Sequence, residues 1–140
     1  MITLRTLQID DFKNGFLETI ENLHPTGLMP EEAEVVFASL PENIKIYVAE
    51  ENQQIIGCAT LLVEKKFLHR GSLAGHIEDV ATHKDHQGKG IGSLLQKHLI
   101  EEAKRFGCYK ILLDCKESLI PFYEKFGYKE SDKHMRLNLK

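Results

Sequence analysis

Two rhythms run along the chain. Alternating or continuous short apolar runs mark strands at "ITLRTL" (2–7), "IKIYVAEE" (44–51), "QIIGCATLLVEKKF" (54–67) and "HIEDVAT" (76–82). "NQ" (52–53) is a turn that joins the second and third of these into a hairpin, while "HPTGLMP" (24–30) and "HRGSLAG" (69–75) read as loops. The helical rhythm takes over elsewhere. Asp10 or Asp11 caps a helix to about Asn22, with Phe12, Phe16, Leu17 and Ile20 on one face. A second helix opens at Pro30 with acids in its first turn, and Pro41 marks its end. From Gly90 to about Phe106, Ile91, Leu94, Leu95, Leu99, Ala103 and Phe106 form one stripe, closed by Gly107. "CYKILLDC" (108–115) reads as a buried strand. Ser118 caps a short helix over "LIPFYEKF", with Pro121 in its first turn and Gly127 at its end. "YKESDKHMRLNL" (128–139) closes the chain as one or two strands.

The order β, α, α, β, β, β, α, β, α, β predicts an α+β fold, a mixed sheet with helices on both faces. Its first half is antiparallel. Its second half holds a β–α–β unit over 76–114 that crosses over right-handed and so makes a parallel pair. With no repeat, linker or low-complexity stretch, residues 1–140 are expected to form a single domain.

Composition changes this picture little. The apolar fraction of 42% and charged fraction of 28% are those of an ordinary globular chain, and the net charge of −3 disfavours a nucleic-acid binder. Cys58, Cys108 and Cys115 are odd in number and form no CxxC pair, so each is read as a small hydrophobe on a strand or strand edge. With neither a leader pattern nor an apolar run of membrane length, the expected location is the cytoplasm. His83 and His86 have HxxH spacing but lie in a loop without a third ligand, so no metal is expected.

The chemistry concentrates in "HIEDVATHKDHQGKGIGSLLQKHL" (76–99). A strand ends, Gly88, Gly90 and Gly92 follow at alternate positions, and a helix begins. A helix start offers unpaired N–H groups and the positive end of its dipole. Glycines before it let successive amides converge and let a ligand approach the backbone, which makes a phosphate cradle. Lys89 adds positive charge, and Gln87 is a polar neighbour. Neither the dinucleotide GxGxxG spacing nor the GxxxxGK[ST] loop is present. A tight strand-to-helix turn without a ligand is the alternative.

Gln87-Gly88-Lys89-Gly90-Ile91-Gly92, as [QR]xxGx[GA], resembles the coenzyme A signature of the GNAT superfamily of N-acetyltransferases. The likeness spans most of the chain. It narrows to the glucosamine-6-phosphate N-acetyltransferase branch at "KFLH" (66–69), "GHIEDV" (75–80), "GCYKILLDC" (107–115) and "PFYEKFGY" (121–128). The resemblance implies the acyl-CoA N-acyltransferase fold, a central twisted and mostly antiparallel sheet with a splayed parallel pair. It implies direct acetyl transfer from acetyl-CoA, as cosubstrate, to the amine of D-glucosamine 6-phosphate in a ternary complex, without a covalent enzyme intermediate. The product serves UDP-GlcNAc synthesis. Alternatives are the same fold acting on a polyamine, an amino acid or a protein N-terminus, and a coenzyme A-binding module without catalysis.

The resemblance also assigns roles. Pantetheine lies along Val80, Ala81 and Thr82, with the Val80 N–H as oxyanion donor. The pyrophosphate sits on the amides from Gln87 through Gly88, Lys89, Gly90 and Ile91 to Gly92. Tyr123 stands near the departing sulfur; packing beside Phe122 and Phe126 is its alternative role, although 122 and 126 share a helix face that 123 does not. Glu78 and Asp79, read as strand neighbours facing opposite sides, bind the amino sugar, and either one orients or deprotonates its amine, directly or through water. Asp114 matches a substrate-binding acid, with a cap or turn role as its alternative. Tyr109 and Lys110 match the sugar-phosphate pattern, and Lys66, His69 and Thr26 are further candidates. An arginine of the final strand reaches a neighbouring subunit's phosphate site in an intertwined homodimer, and Arg136 is the nearest match. Relatives carry an asparagine before the last helix; here "KESLIP" (116–121) offers Ser118 for that coenzyme A contact.

Overall fold

The alternating segments zip into one five-stranded sheet of order β1-β2-β3-β4-β5. The strands are β1 (Thr3–Thr6), β2 (Ile44–Glu51), β3 (Gln54–Lys65), β4 (Leu73–Thr82) and β5 (Cys108–Leu113), in a computed structural model describing residues 1–140. β1 to β4 are antiparallel, and β4 and β5 are parallel. The helices are α1 (Phe16–Glu21), α2 (Pro30–Ala38), α4 (Ile91–Phe106) and α5 (Ile120–Glu124), and α3 (Leu68–Gly71) is a single turn with left-handed backbone at His69 and Arg70. The mixed sheet expected from the sequence is the one observed.

Each face of the sheet has its own core. Ile91, Leu95, Leu99 and Ala103 of α4 pack on Tyr47, Ile56, Leu61 and Ile77. Leu95 and Leu99 are wholly buried, and burial of such a side chain stabilises by about 1.5–3 kcal/mol. On the opposite face Phe12, Phe16, Leu17 and Ala33 cover Val48, Ile55, Cys58 and Ala81. Buried Asp11 there holds Arg5 through two bonds of 2.9 Å.

Local chemistry departs from the sequence pattern in several places. The helix expected over 10–22 is split. A 3-10 turn covers Ile9–Lys13 and α1 starts only after Gly15, whose φ is +104°. A Cβ at Gly15 would stand 2.7 Å from the Ile55 oxygen, so the chain bends here to reach β3. Strand β4 starts at Leu73 rather than 76, because small Ala74 and Gly75 let it pass under Leu61. β5 is an edge strand with half-exposed residues rather than a buried one. Ser118 makes no capping bond and lies in a 3-10 turn over Glu117–Leu119. No strand follows Gly127: Lys129–Lys140 form an exposed arm that joins no β-ladder.

The most consequential departure is a bulge in β4. Cys58 faces Ala81 and Thr60 faces Glu78, so Asp79 and Val80 stand opposite Ala59 alone. Asp79 has φ +51°. An extra residue flips the alternation beyond it: Ile77 and Val80 join the core under α4, while Ala81 joins the other. Glu78 and Asp79 are therefore not the simple opposite-facing neighbours that a regular strand predicts. Pairing with β5 also stops here, at Ile77 with Leu113, which leaves Glu78–Thr82 without a β5 partner.

Candidate active site

The turn from β4 into α4 is built from backbone. Gly88 and Gly90 have φ of +80° and +77°, and a Cβ on either would meet nothing within 4 Å. They are glycines for conformation rather than space, since the left-handed region is costly for other residues. Gly90 caps α4 without a side-chain bond, so the first amides of the 16-residue helix keep their donors free at its positive end. Gly92 looks across at Phe122, 3.6 Å from where its Cβ would stand. These residues open onto a cavity of about 460 Å³ lined by Val80, Ala81, Thr82, Gln87, Gly88, Gly90, Ile91 and Gly92 among others. Asn22 at the end of α1 also lines it and donates to the Thr82 carbonyl at 2.8 Å. Lys89 sits at the rim, 3.1 Å from His86 Nδ1. Ser118 lines neither cavity; its neighbour Leu119 closes this one.

A second cavity, about 770 Å³, is lined by His76 and Glu78 of β4 and by Asp114, Cys115 and Tyr123 among others. α5 spans both. Phe122 turns to the first cavity and Tyr123 to the second, with the two rings edge-on at 5.0 Å. Phe122 also meets Phe126 edge-on at 5.4 Å, while Tyr123 meets Tyr128. Burial pushes the Tyr123 phenol up, helped by the nearby Cys115, so it stays a proton donor at neutral pH. Partial burial raises the Glu78 carboxyl as well, reinforced by the negative charges of Asp79 and Asp114. Asp114 pairs with His134 of the arm at 3.1 Å.

Strand register sets what faces the second cavity. Partners across a ladder project to one side: Ala74 pairs with Lys110 and His76 with Leu112, so Lys110 and Leu112 share a face with His76 and Glu78. Lys110 lies toward the far end of that face, 5.3 Å from the Tyr109 ring, which stacks on His69 at 4.0 Å. Lys66 pairs with Glu64 at 3.3 Å. Thr26 bonds Glu21, and Arg136 bonds Asn138 on the arm. None of Thr26, Lys66, His69, Tyr109, Lys110 and Arg136 lines either cavity. The bases that do line the second are Lys116, Lys129 and Lys133, with His76 and His134. Sequence reasoning passed over these, and over Asn22, because single polar residues in loops carry no periodic signal. Cys115, read as a strand-edge hydrophobe, is an exposed thiol in the cavity wall beyond β5. His83 accepts from the Asp85 amide at 3.1 Å, and no three metal-ligating side chains cluster anywhere. No helix is long and apolar enough to cross a membrane.

Residues 5–128 match the model of the acetyltransferase (GNAT) family. The chain is 37% identical over 138 residues to glucosamine 6-phosphate N-acetyltransferase of Candida albicans, covering 95% of this chain and 93% of that protein. The crystal structure of glucosamine-6-phosphate N-acetyltransferase from Arabidopsis thaliana superimposes with a TM-score of 0.94 at 33% identity, covering 100% of this chain and 99% of that one. A predicted acetyltransferase from Clostridium acetobutylicum, solved with acetyl-CoA, gives a TM-score of 0.73 at 25% identity over 99% and 97% of the two chains. The family match covers the cradle, the bulge and Tyr123 alike, and this chain belongs to the acetyltransferase (GNAT) family.

Proposed function

We propose that this protein, as one N-acetyltransferase domain over 1–140, transfers the acetyl group of acetyl-CoA to the amine of D-glucosamine 6-phosphate. The products are N-acetyl-D-glucosamine 6-phosphate, a precursor for UDP-GlcNAc, and CoA. The observation that carries this reading is the succession of two cavities along β4, one at the glycine turn that starts α4 and one with Glu78, Asp114 and Tyr123. The names of the relatives, which cover nearly the whole chain, supply the substrate.

Acetyl-CoA brings the activated acyl group; the protein supplies position and charge. The pyrophosphate rests on the amides of Gln87–Gly92, and pantetheine runs beside Val80, Ala81 and Thr82 as an added strand, with Ser118 at its flank. Glu78 or Asp79, directly or through water, receives a proton from the ammonium and aims the neutral amine at the acetyl carbon. The Val80 N–H, freed where β4 leaves β5, donates to the oxygen that gains negative charge. Tyr123 donates to the leaving sulfur. Asp114 holds the sugar. Its phosphate turns toward Lys110 and Tyr109, with Lys66, His69, Thr26 and Arg136 of a second copy as further contacts in a homodimer. The three free thiols fit a reducing cytoplasm.

The test is thiol release from acetyl-CoA with a panel of amines. Fast release with glucosamine 6-phosphate and at least tenfold slower release with glucosamine supports the phosphosugar reading. Preference for a polyamine would reassign the substrate, and no acceleration by any amine would leave a binding module.

A further inference from the structure

The proposed reaction releases a proton for which Tyr123 and Glu78 alone provide no exit. An ammonium and acetyl-CoA give an amide, free CoA and one H⁺. The nitrogen loses two protons. Tyr123 passes one to the sulfur, and the other must leave the pocket on every turnover.

One side chain of the second cavity's wall also bonds a carboxylate outside the cavity. His76 lines it two residues before Glu78, on the same face of β4. Its Nε2 lies 2.7 Å from Glu64 Oε1 on β3. That hydrogen bond, with a second from Lys66, holds the Glu64 carboxyl below the usual range. The side chains are 26% exposed at His76 and 42% at Glu64, so the pair steps outward from pocket to surface. Imidazole is suited to such a step because its two nitrogens take up and release protons on opposite sides of the ring.

We propose that His76, braced by Glu64, is the proton exit of the amine site, a positioning residue acting through Glu78. This rests on the amine-acetylation reading above. The ammonium N–H bond breaks to Glu78, or to water beside it. That proton passes to His76 Nδ1, the ionised Glu64 steadies the imidazolium so formed, and its Nε2 proton is released to bulk water. Ring reorientation then resets the imidazole, so every group returns to its starting form and no other reactant is consumed. The charged groups around His76 are Glu64 on β3 and Lys66 just beyond it, Glu78 and Asp79 on β4, Lys110 and Asp114 on and just beyond β5, and His134 on the arm.

His76→Gln separates this role from a structural one, since the amide still donates to Glu64 but cannot relay a proton. In dilute buffer its kcat is expected to fall about tenfold, with the KM for acetyl-CoA within about twofold and an unchanged melting temperature. Added imidazole restores kcat to within about threefold of the parent, whose own rate ignores it. Glu64→Gln loses a smaller factor and responds to imidazole in the same way, which keeps the test valid if His76→Gln folds poorly. Unchanged kcat in both variants, or a loss that imidazole fails to recover, overturns the proton exit while the acetylation reading stands. A parent enzyme inert toward every amine removes both.

Discussion

Tyr123 and Glu78 show how one pocket shifts two side chains for different ends. The Tyr123 phenol is pushed up by burial, so it is a donor throughout the physiological range. Tyr123→Phe keeps the ring packing against Phe122 and Tyr128 and removes only the proton. Turnover is expected to drop about 10²-fold, with acetyl-CoA affinity by calorimetry nearly unchanged; equal turnover would remove the hydroxyl from the chemistry. Glu78 carries a stability cost. Its folded pKa is raised above the ordinary 4.5 by partial burial, then by Asp79 and Asp114. Between 4.5 and that raised value the native state holds more proton than the unfolded chain, so stability falls as pH rises through this window. Glu78→Gln should therefore melt higher than the parent at pH 7, the gap closing below about pH 4, while turnover drops. Melting curves across pH and a rate at pH 7 check both signs. A lower melting temperature at pH 7 would mean that Glu78 is stabilised by a partner rather than held charged against a cost.

At the scale of elements, the site depends on how closely α4 seats on the sheet. Gly57 of β3 lies beneath its first turn, where an added Cβ would come within 2.5 Å of Ile91 Cγ2 and 3.1 Å of Leu95 Cδ1. Gly57→Ala should cost about 1–3 kcal/mol by overpacking and lift Ile91 from the cradle it lines. Both a lower denaturation midpoint and weaker CoA binding are expected. A stability loss with unchanged CoA affinity would show that the cradle tolerates movement of its helix. Much of this architecture was legible in the chain. The α4 stripe, the glycine turn, the hairpin over 44–65 and the parallel unit all follow from periodicity and turn chemistry, which are local. Gly57 was not legible, since its role comes from a helix 34 residues downstream. The same holds for the break at Gly15, forced by contact with β3, and for the β4 bulge. The run "HIEDVAT" alternates acceptably on paper, and only pairing with β3 reveals that Asp79 is the extra residue. Leu94, counted in the apolar stripe, is 38% exposed at the stripe's edge. Tyr123 was singled out by likeness and by its separation from the 122–126 face, and its surroundings do differ from those of Phe122.

The whole molecule has one conspicuous incompleteness, and it is at the C-terminus. Met135, Leu137 and Leu139 are 90%, 83% and 88% exposed, although their period of two is that of a strand with one apolar face. The sequence pattern predicts a strand, and a single chain offers it no partner. Three large apolar side chains left in water are costly to solubility, and an unpaired strand finds its ladder most readily in an identical chain. Arg136 lies within this segment, so pairing with a second copy would also carry a guanidinium to a neighbouring pocket. The expected species in solution is a dimer of twice the 16.0 kDa chain mass, measured by light scattering after gel filtration. Replacing Met135, Leu137 and Leu139 together with lysine should yield a folded monomer, since the core clusters contain none of them, with turnover on the phosphosugar reduced. Arg136→Ala should stay dimeric and raise the KM for the phosphorylated amine by about tenfold, leaving the KM for acetyl-CoA unchanged. A fully active parent monomer would end the shared-site argument, because each pocket would then be complete within one chain.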